Sequence, residues 1–483
     1  MRHSFINTFL CLLLLFAVGC TKTEELQDDP NRATQVPPSL ILTNIEVEAF
    51  TNVSLSAGLA SRYLTNTDGV IAEQYYNWTQ AGFGGYDNLK QVSKMVQEAE
   101  RTEEEVYSIL AKFFNSYFIV EITQVFGDVP YSEAVSVAEE IYAPAYDRQE
   151  DIFVKVLNDL KQASDALAQN EGTISGDIVY DGDKLKWRKL INSYYLRVLM
   201  GLSKKTGNPQ LNIADRFSTV VSNPSRYPLF GSNDDNGALE YFDIQDNRYP
   251  YYNDNAIQTA YYMEKTFVDR LKLFEDPRLF VFADQKPNAG DADETDFEAY
   301  DGLLGSAPFD ENSAKAVAGE ASRINPRYYN DPINEPSLLM GYAELQFILA
   351  EAAARGWIGG ETEEYYNEGI RASFDFFNVT GAEDYLAGAA VQLDASNEIK
   401  SILQQKHIAL FMNTGWQIFY EQRRSGFPEF DVSGGGVLNG GRIPKRWLYP
   451  ESETTNNPAN LEEAISRQFP EGDNINAVMW LIE

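Results

Sequence analysis

Cysteine and histidine are nearly absent from this chain of 483 residues, which holds two of each: Cys11, Cys20, His3 and His407. Cys11 and His3 fall in an amino-terminal segment that reads as removable, leaving Cys20 and His407 in the mature chain. That excludes a disulfide within one mature chain and a zinc site built from Cys and His, and it rests any histidine-dependent catalysis on one ring. Positive charge is also scarce: 39 Lys and Arg face 72 Asp and Glu, a formal net charge of −33. Such a field repels nucleic acid and anionic membrane surfaces and keeps the chain soluble. What the chain does have is 44% hydrophobic residues, enough for a large core, and 28 Tyr against 6 Trp. Rings with a polar tip suit carbohydrate and peptide surfaces as well as interiors.

Residues 5–18 form an apolar run too short to span a membrane but of the length of a signal-peptide core. Ala17, Val18 and Gly19 precede Cys20, and small residues before a Cys at this place resemble a lipobox, in which Cys20 becomes the lipidated amino terminus. We therefore expect a signal peptide over residues 1–19 and a tether over 20–38, polar at first and stiffened by Pro37 and Pro38.

The rest of the chain is organised around residues 341–357, GYAELQFILAEAAARGW. Tyr342, Leu345, Leu349, Ala352 and Ala353 share one face, while Phe347, Ile348 and Ala350 widen the apolar surface, so the spacing predicts a helix buried on two sides. Alanines at 350, 352, 353 and 354 allow neighbouring helices to approach closely. Further helical patterns pair as 39–64 with 106–126, 151–168 with 184–205, 337–357 with 361–377, and 396–412 with 414–424. The expected fold class is mostly α: four irregular hairpins like tetratricopeptide repeats form a scaffold, although no clean 34-residue consensus appears. Between them, residues 208–331 lose the helical rhythm and become rich in Asn, Asp, Gly, Tyr and Pro. Loops this long in a compact domain are usually functional or disordered, and their aromatic content argues against disorder.

Several motifs point to one family. The helix 342–352 reads Tyr-Ala-Glu-x-x-Phe-x-x-Ala-Glu-Ala and leads into Gly356-Trp357. Residues 126–134 read Phe-Gly-Asp-Val-Pro-Tyr-Ser-Glu-Ala, and Tyr180, Asp183, Trp187, Asn192 and Arg197 open a later helix. Gly415, Trp416, Phe419, Tyr420, Glu421, Arg423 and Arg424 form another run, and Arg442 to Pro450 closes the series. Together these resemble the SusD/RagB nutrient-binding outer-membrane lipoproteins of Bacteroidetes, the SusD-like subgroup, across almost the whole chain. The resemblance implies one SusD-like domain over 39–483, with a scaffold at 39–205 and 337–424, a loop-rich variable region at 208–331 and a tail at 425–483. It also implies an outer-membrane location facing the cell exterior, capture of a glycan or other nutrient, and a TonB-dependent SusC-like barrel as partner. No cofactor, catalytic residue or nucleic acid enters this reading. An extracellular glycoside hydrolase and a helical-repeat scaffold binding only protein are the alternatives.

Ligand candidates come from two aromatic, amide-rich stretches that break the helical period: Tyr75, Tyr76, Asn77, Trp78 and Tyr86, and Tyr249, Tyr251, Tyr252 and Asn253. Sugars present C–H faces to rings and hydroxyls to fixed donors and acceptors, so such stretches on one face of a scaffold would suit them. The alternative is that the rings pack loops onto helices. His407 sits among apolar neighbours and reads as structural, as do Glu344, Glu351 and Arg355, the last two spaced for an i,i+4 pair. The glycines at 434–436 and 440–441 lack the following Lys of a phosphate loop and need be no more than a flexible loop. Asp291, Asp293, Asp296, Glu298 and Asp301 have oxygen ligands for Ca²⁺ but not the spacing of an EF-hand.

Overall fold

The computed structural model describes residues 35–134 and 141–483. The expected signal peptide, Cys20 and most of the tether lie outside the described residues. Helices dominate. The first half of the chain contributes α1 (Pro38–Phe50), α2 (Gly85–Thr102), α3 (Glu105–Phe126), α4 (Gln149–Leu167), α5 (Lys184–Gly201) and α6 (Ile213–Val221). A loop-rich middle holds α7 (Lys265–Leu273) and α8 (Phe309–Val317). Then come α9 (Tyr342–Ala354), α10 (Thr362–Phe376), α11 (Glu398–Ala409), α12 (Gln417–Ser425) and α13 (Pro458–Gln468). Four short strands, β1 (Leu64–Asn66), β2 (Gly237–Leu239), β3 (Tyr261–Met263) and β4 (Ser337–Met340), make two antiparallel ladders, β1 with β3 and β2 with β4.

The scaffold is a row of antiparallel helices in which α2, α3, α4 and α5 pack each on the next, α5 meets α9, and α9 packs on both α10 and α11. The first hairpin differs from the expected one. Residues 39–64 do not form one helix, because α1 stops at Phe50 and Ser54 caps a new short helix, its hydroxyl accepting from Ala57 N at 3.2 Å. The partner of α3 is α2, whose buried Leu89, Val92, Met95 and Ala99 lie along one narrow stripe between charged residues.

Helix α9 is buried on two sides as its spacing predicts. Ala350 and Ala352 are fully enclosed, whereas Ala353 and Ala354 are only half-buried. Its end is a Schellman turn: Trp357 N donates to Ala352 O and Gly356 N to Ala353 O, with Gly356 at φ +71°. Glu344 and Glu351, two turns apart on one face, anchor a buried ionic network. Arg197 of α5 grips Glu344 with two hydrogen bonds, and Lys406 of α11 reaches Glu421 of α12 at 3.1 Å and Glu344 at 3.5 Å. Arg424 of α12 binds Glu351 at 2.6 and 2.8 Å and also pairs with Glu421. Arg355 completes the i,i+4 pair with Glu351 at 2.7 Å. Burial raises the Glu351 and Glu421 carboxyls, but the cations around them, Arg424 first, hold both below the usual range. These charges join four helices at fixed depths.

The run at 126–134 is likewise structural. Asp128 accepts from Gln149 N at 2.8 Å and from Arg467 at 2.6 and 2.8 Å, while the Asp147 carboxylate accepts from Tyr131 N and Ser132 N, each at 2.8 Å.

Candidate functional site

Loops gather around Arg62, a side chain 1% exposed at the end of β1's approach, with φ at +58°. Its Nη1 donates to Gln74 O at 2.8 Å, its Nε to Asp431 O at 3.2 Å, and its guanidinium lies 4.3 Å from the Tyr76 ring centroid. The glycine-rich segment docks on this hub and is not free: Gly434 N donates to the Ser306 hydroxyl at 3.0 Å, Gly436 N to Ser306 O at 2.7 Å, and Leu438 N to Tyr75 O at 2.9 Å. A Cβ at Gly436 would lie 2.5 Å from Ala307 O, so only glycine permits that approach. Residues 72–78, 304–307 and 431–438 therefore form one layered loop body.

Of the nine candidate residues four are buried, Tyr75, Tyr76 and Trp78 within that body and Tyr249 outside it. Tyr76 ends a short helix in the left-handed region, φ +55°, and its hydroxyl donates to Ala60 O at 2.8 Å. Trp78 stacks on Trp447 at 4.5 Å with Trp416 and Phe419 edge-on, and its Nε1 donates to Arg446 O at 3.0 Å. Tyr75 is 2% exposed, its hydroxyl facing the Gln74 and Asn312 amides. Tyr249, also 2% exposed, packs edge-on against Tyr241 and Tyr251. The rings of Tyr75, Tyr76, Trp78 and Tyr249 thus pack loops onto the scaffold and offer no face to a ligand. Tyr86 is half-buried, its hydroxyl donating to Pro130 O at 2.5 Å, and Tyr251 is half-buried with its hydroxyl accepting from Leu55 N at 3.0 Å. Asn77 and Asn253 are exposed, and Tyr252 is half-buried beneath Arg248, whose guanidinium is 5.1 Å from its ring.

The two stretches share no ring contact, but Tyr261 lies between them. In the β1–β3 ladder Tyr261 pairs with Asn66. Its half-buried phenol is raised by burial first, with the Asn66 amide opposing and Asp254, Glu73 and Asp68 adding negative potential. Asp68 and Glu73 belong to the loop leading to Asn77, and Asp254 follows Asn253 and caps the next helix, its carboxylate accepting from Ile257 N at 3.0 Å. Thr67 N fastens the two loops by donating to Ala260 O at 3.0 Å. Tyr261 thus sits beside three carboxylates, acceptors suited to hydroxyl groups, on loops that also carry the exposed Asn77 and Asn253. In the sequence Tyr261 does not stand out, because it reads as part of an apolar Tyr-Tyr-Met run.

Other candidates resolve as structure. His407 is buried, stacked on Tyr63 at 4.4 Å, with Nδ1 accepting from Arg270 at 2.7 Å and Nε2 donating to Ser61 O at 3.0 Å. Burial and Arg270 hold the ring neutral, well below its usual pKa. Glu121 is pushed by burial to about 7, a value suited to proton transfer, yet the cavity beside it measures only about 20 Å³. In the acidic loop, Asp293 accepts from Thr295, Asp296 caps a turn at Glu298 N, Glu298 pairs with Lys272 and Asp301 with Lys265. Among the described residues no group of three or more His, Cys, Asp or Glu could hold a metal ion. Nor is any of their helices long and apolar enough to cross a membrane.

Clefts of about 330, 340 and 710 Å³ open elsewhere, the largest between Tyr180, Lys186, Asn233, Glu240 and Phe376. None of the three is lined by the nine candidates.

The sequence profile of a SusD-like family described as starch-binding and associating with the outer membrane matches residues 30–450. Among solved structures, a SusD homologue from Bacteroides fragilis is 42% identical, covers 93% of this chain and 100% of its own, and superposes with a TM-score of 0.86. An outer-membrane protein of Bacteroides vulgatus whose name connects it with nutrient binding is 38% identical with the same coverage and a TM-score of 0.87. A chitin-binding SusD homologue from Flavobacterium johnsoniae shares the fold at 21% identity, covering 92% of this chain and 98% of its own, with a TM-score of 0.75. No curated protein matches the sequence.

Proposed function

From the premise that the chain belongs to this SusD-like family, we propose that it is a cell-surface lipoprotein that captures a glycan or oligosaccharide and delivers it to a TonB-dependent SusC-like outer-membrane barrel. The observation that carries the reading is the surface around Tyr261, where a half-buried ring lies beside carboxylates on loops that also carry exposed amides. The ligand residues in this proposal are Tyr261, Asn77, Tyr252 and Asn253, with Asp68, Glu73 and Asp254 accepting from sugar hydroxyls. Starch-binding in the family's description and chitin-binding in the name of a structural relative favour a glycan over a peptide. The protein acts by binding, without turnover, and hangs from the membrane by a lipid on Cys20.

A glycan array followed by titration calorimetry tests the capture step. Tyr261→Ala should weaken binding of the selected glycan about tenfold or more while leaving the melting temperature nearly unchanged, as expected for a lost stacking surface. Unaltered affinity in Tyr261→Ala would move the site elsewhere, and depolymerisation of the glycan by purified protein would replace binding with hydrolysis. Recovery from detergent-solubilised outer membranes should bring down a TonB-dependent barrel, and Cys20→Ala should release the protein from the membrane fraction. Repeated isolation of the lipoprotein alone would count against the partner.

A further inference from the structure

The cleft between α4, α5 and α6 has a composition that the rest of this acidic chain does not lead one to expect. It measures about 330 Å³ and is lined by Asn158 and Lys161 of α4, Asn192 and Tyr195 of α5, Arg216 and Val220 of α6, and Tyr227 beyond it. Its floor is built, with Asn192, Tyr195, Tyr227 and Val220 each at most 5% exposed. Its cation is uncommitted: Arg216 donates to Tyr195 Oη at 3.2 Å and to Asn158 Oδ1 at 3.4 Å, both neutral, and forms no ion pair among the described residues. Asp215, which also lines the cleft, is exposed at its mouth. Lys161 shares one carboxylate, Asp165, with Arg226, each at 3.0 Å, and among the described residues Arg188 binds the carbonyls of Ser164 and Arg226. Two cations and one carboxylate thus line this cleft in a chain whose net charge is −33.

The remaining groups are ready for hydroxyls. Asn192 donates Nδ2 to Pro228 O at 2.9 Å, which leaves its Oδ1 without a protein donor. Tyr195 accepts from Arg216 and keeps its own proton to give, since burial raises the phenol. Val220 and the Tyr227 ring form an apolar wall against which a sugar ring can lie.

We propose that this cleft is a second ligand site, separate from the surface around Tyr261, and that it takes a carboxylate-bearing sugar of monosaccharide size, a uronic acid. Arg216, held in place by Asn158, and Lys161 bind the carboxylate, Tyr195 donates to it, and the Asn192 carbonyl oxygen accepts from a ring hydroxyl.

Titration calorimetry of the purified protein with glucuronate, galacturonate, glucose and acetate tests the assignment. The uronates should bind saturably and at least about tenfold more tightly than glucose, which lacks the charge, or acetate, which lacks the ring. Arg216→Gln should weaken uronate binding about tenfold or more without changing the melting temperature, and Asn158→Ala should weaken it less. Equal affinity for glucose and glucuronate, equal affinity for acetate, no heat with either uronate, or an unaffected Arg216→Gln variant would each overturn the proposal. Because Tyr261→Ala should leave uronate binding intact, failure here and failure at the Tyr261 surface are separate results.

Discussion

Replacing Glu46 with Gln should stabilise the protein, and by an amount that grows with pH. Glu46 lies in α1 with no exposed surface, its Oε2 accepting from Ile178 N at 2.8 Å while Oε1 has no donor. Beside it the Asp177 carboxylate is saturated by four donors: Val179 N, Tyr180 N, Gly182 N and the Trp187 indole, at 2.7 to 2.9 Å. Burial first, and then the charge of Asp177, raise the Glu46 carboxyl from 4.5 to about 10. It therefore stays protonated in the folded state at neutral pH and ionises on unfolding.

The sign follows from that difference. A carboxyl raised on folding costs nothing below its unfolded pKa, and the stability it permits is lost steadily as pH rises from about 4.5 towards about 10. At 1.36 kcal/mol per pH unit the penalty is about 1 kcal/mol at pH 5 and about 5 kcal/mol at pH 8. Glutamine keeps an acceptor for Ile178 N, stays uncharged beside Asp177 and removes the titration. For a chain of this length each kcal/mol moves the melting temperature by about 1 °C. Thermal melts at pH 5 and pH 8 should show Glu46→Gln gaining about 4 °C on the parent between the two. Parallel melting curves across that range would mean that Glu46 is already ionised in the fold, and the reasoning would fail.

Trp78→Ala should cost about 3–5 kcal/mol, because it empties the stack between Trp447, Trp416 and Phe419; an unchanged melting temperature with lost glycan affinity would put the ring at the ligand instead. Arg424→Met should cost about 3–5 kcal/mol by leaving Glu351 and Glu421 buried with fewer cations, and in the parent protein the contribution of those two depressed carboxyls should be lost only as pH falls below about 4.5. If acid melts of the parent and of Arg424→Met coincide, the network does not hold them. His407 should show no titration between pH 5 and pH 8 in a proton spectrum of its ring, where the mature chain presents one histidine; a midpoint near 6.5 would show it open to water.

How much was legible can be read from individual residues. The period of 342–354 foretold a helix covered on two sides, and Glu351 with Arg355 foretold their pair. Helix α2 was missed because its stripe of Leu89, Val92, Met95 and Ala99 is narrow and set among charges, so that local hydropathy is low. The single helix expected over 39–64 failed because Ser54 gains more as a cap than inside a helix. Trp78 and Tyr249 looked like surface rings because neighbouring amides and glycines signal a loop; whether a loop ring faces water or core depends on partners hundreds of residues away, such as Trp447, which no local window contains.

That distance also explains why the runs that resemble the family say so little about the ligand. Glu344, Glu351, Glu421 and Arg424, together with Arg197 and Lys406, are the charges that lock α5, α9, α11 and α12 together. Asp128 and Asp147 fasten the turn after α3, and Trp416 and Trp447 clamp the loop at Trp78. Each of these groups is committed to another part of the chain, and a buried charge or indole so committed cannot be changed without leaving its partner unpaired or a cavity behind. The surface around Tyr261 carries no such debt: Asn77 and Asn253 are exposed, and Tyr261 and Tyr252 are half-exposed. Under the proposed reading, substitution there should alter the ligand while the motifs that hold the scaffold stay in place. Those motifs report how the scaffold is held together, and in the proposed reading it is the residues between them that meet the ligand.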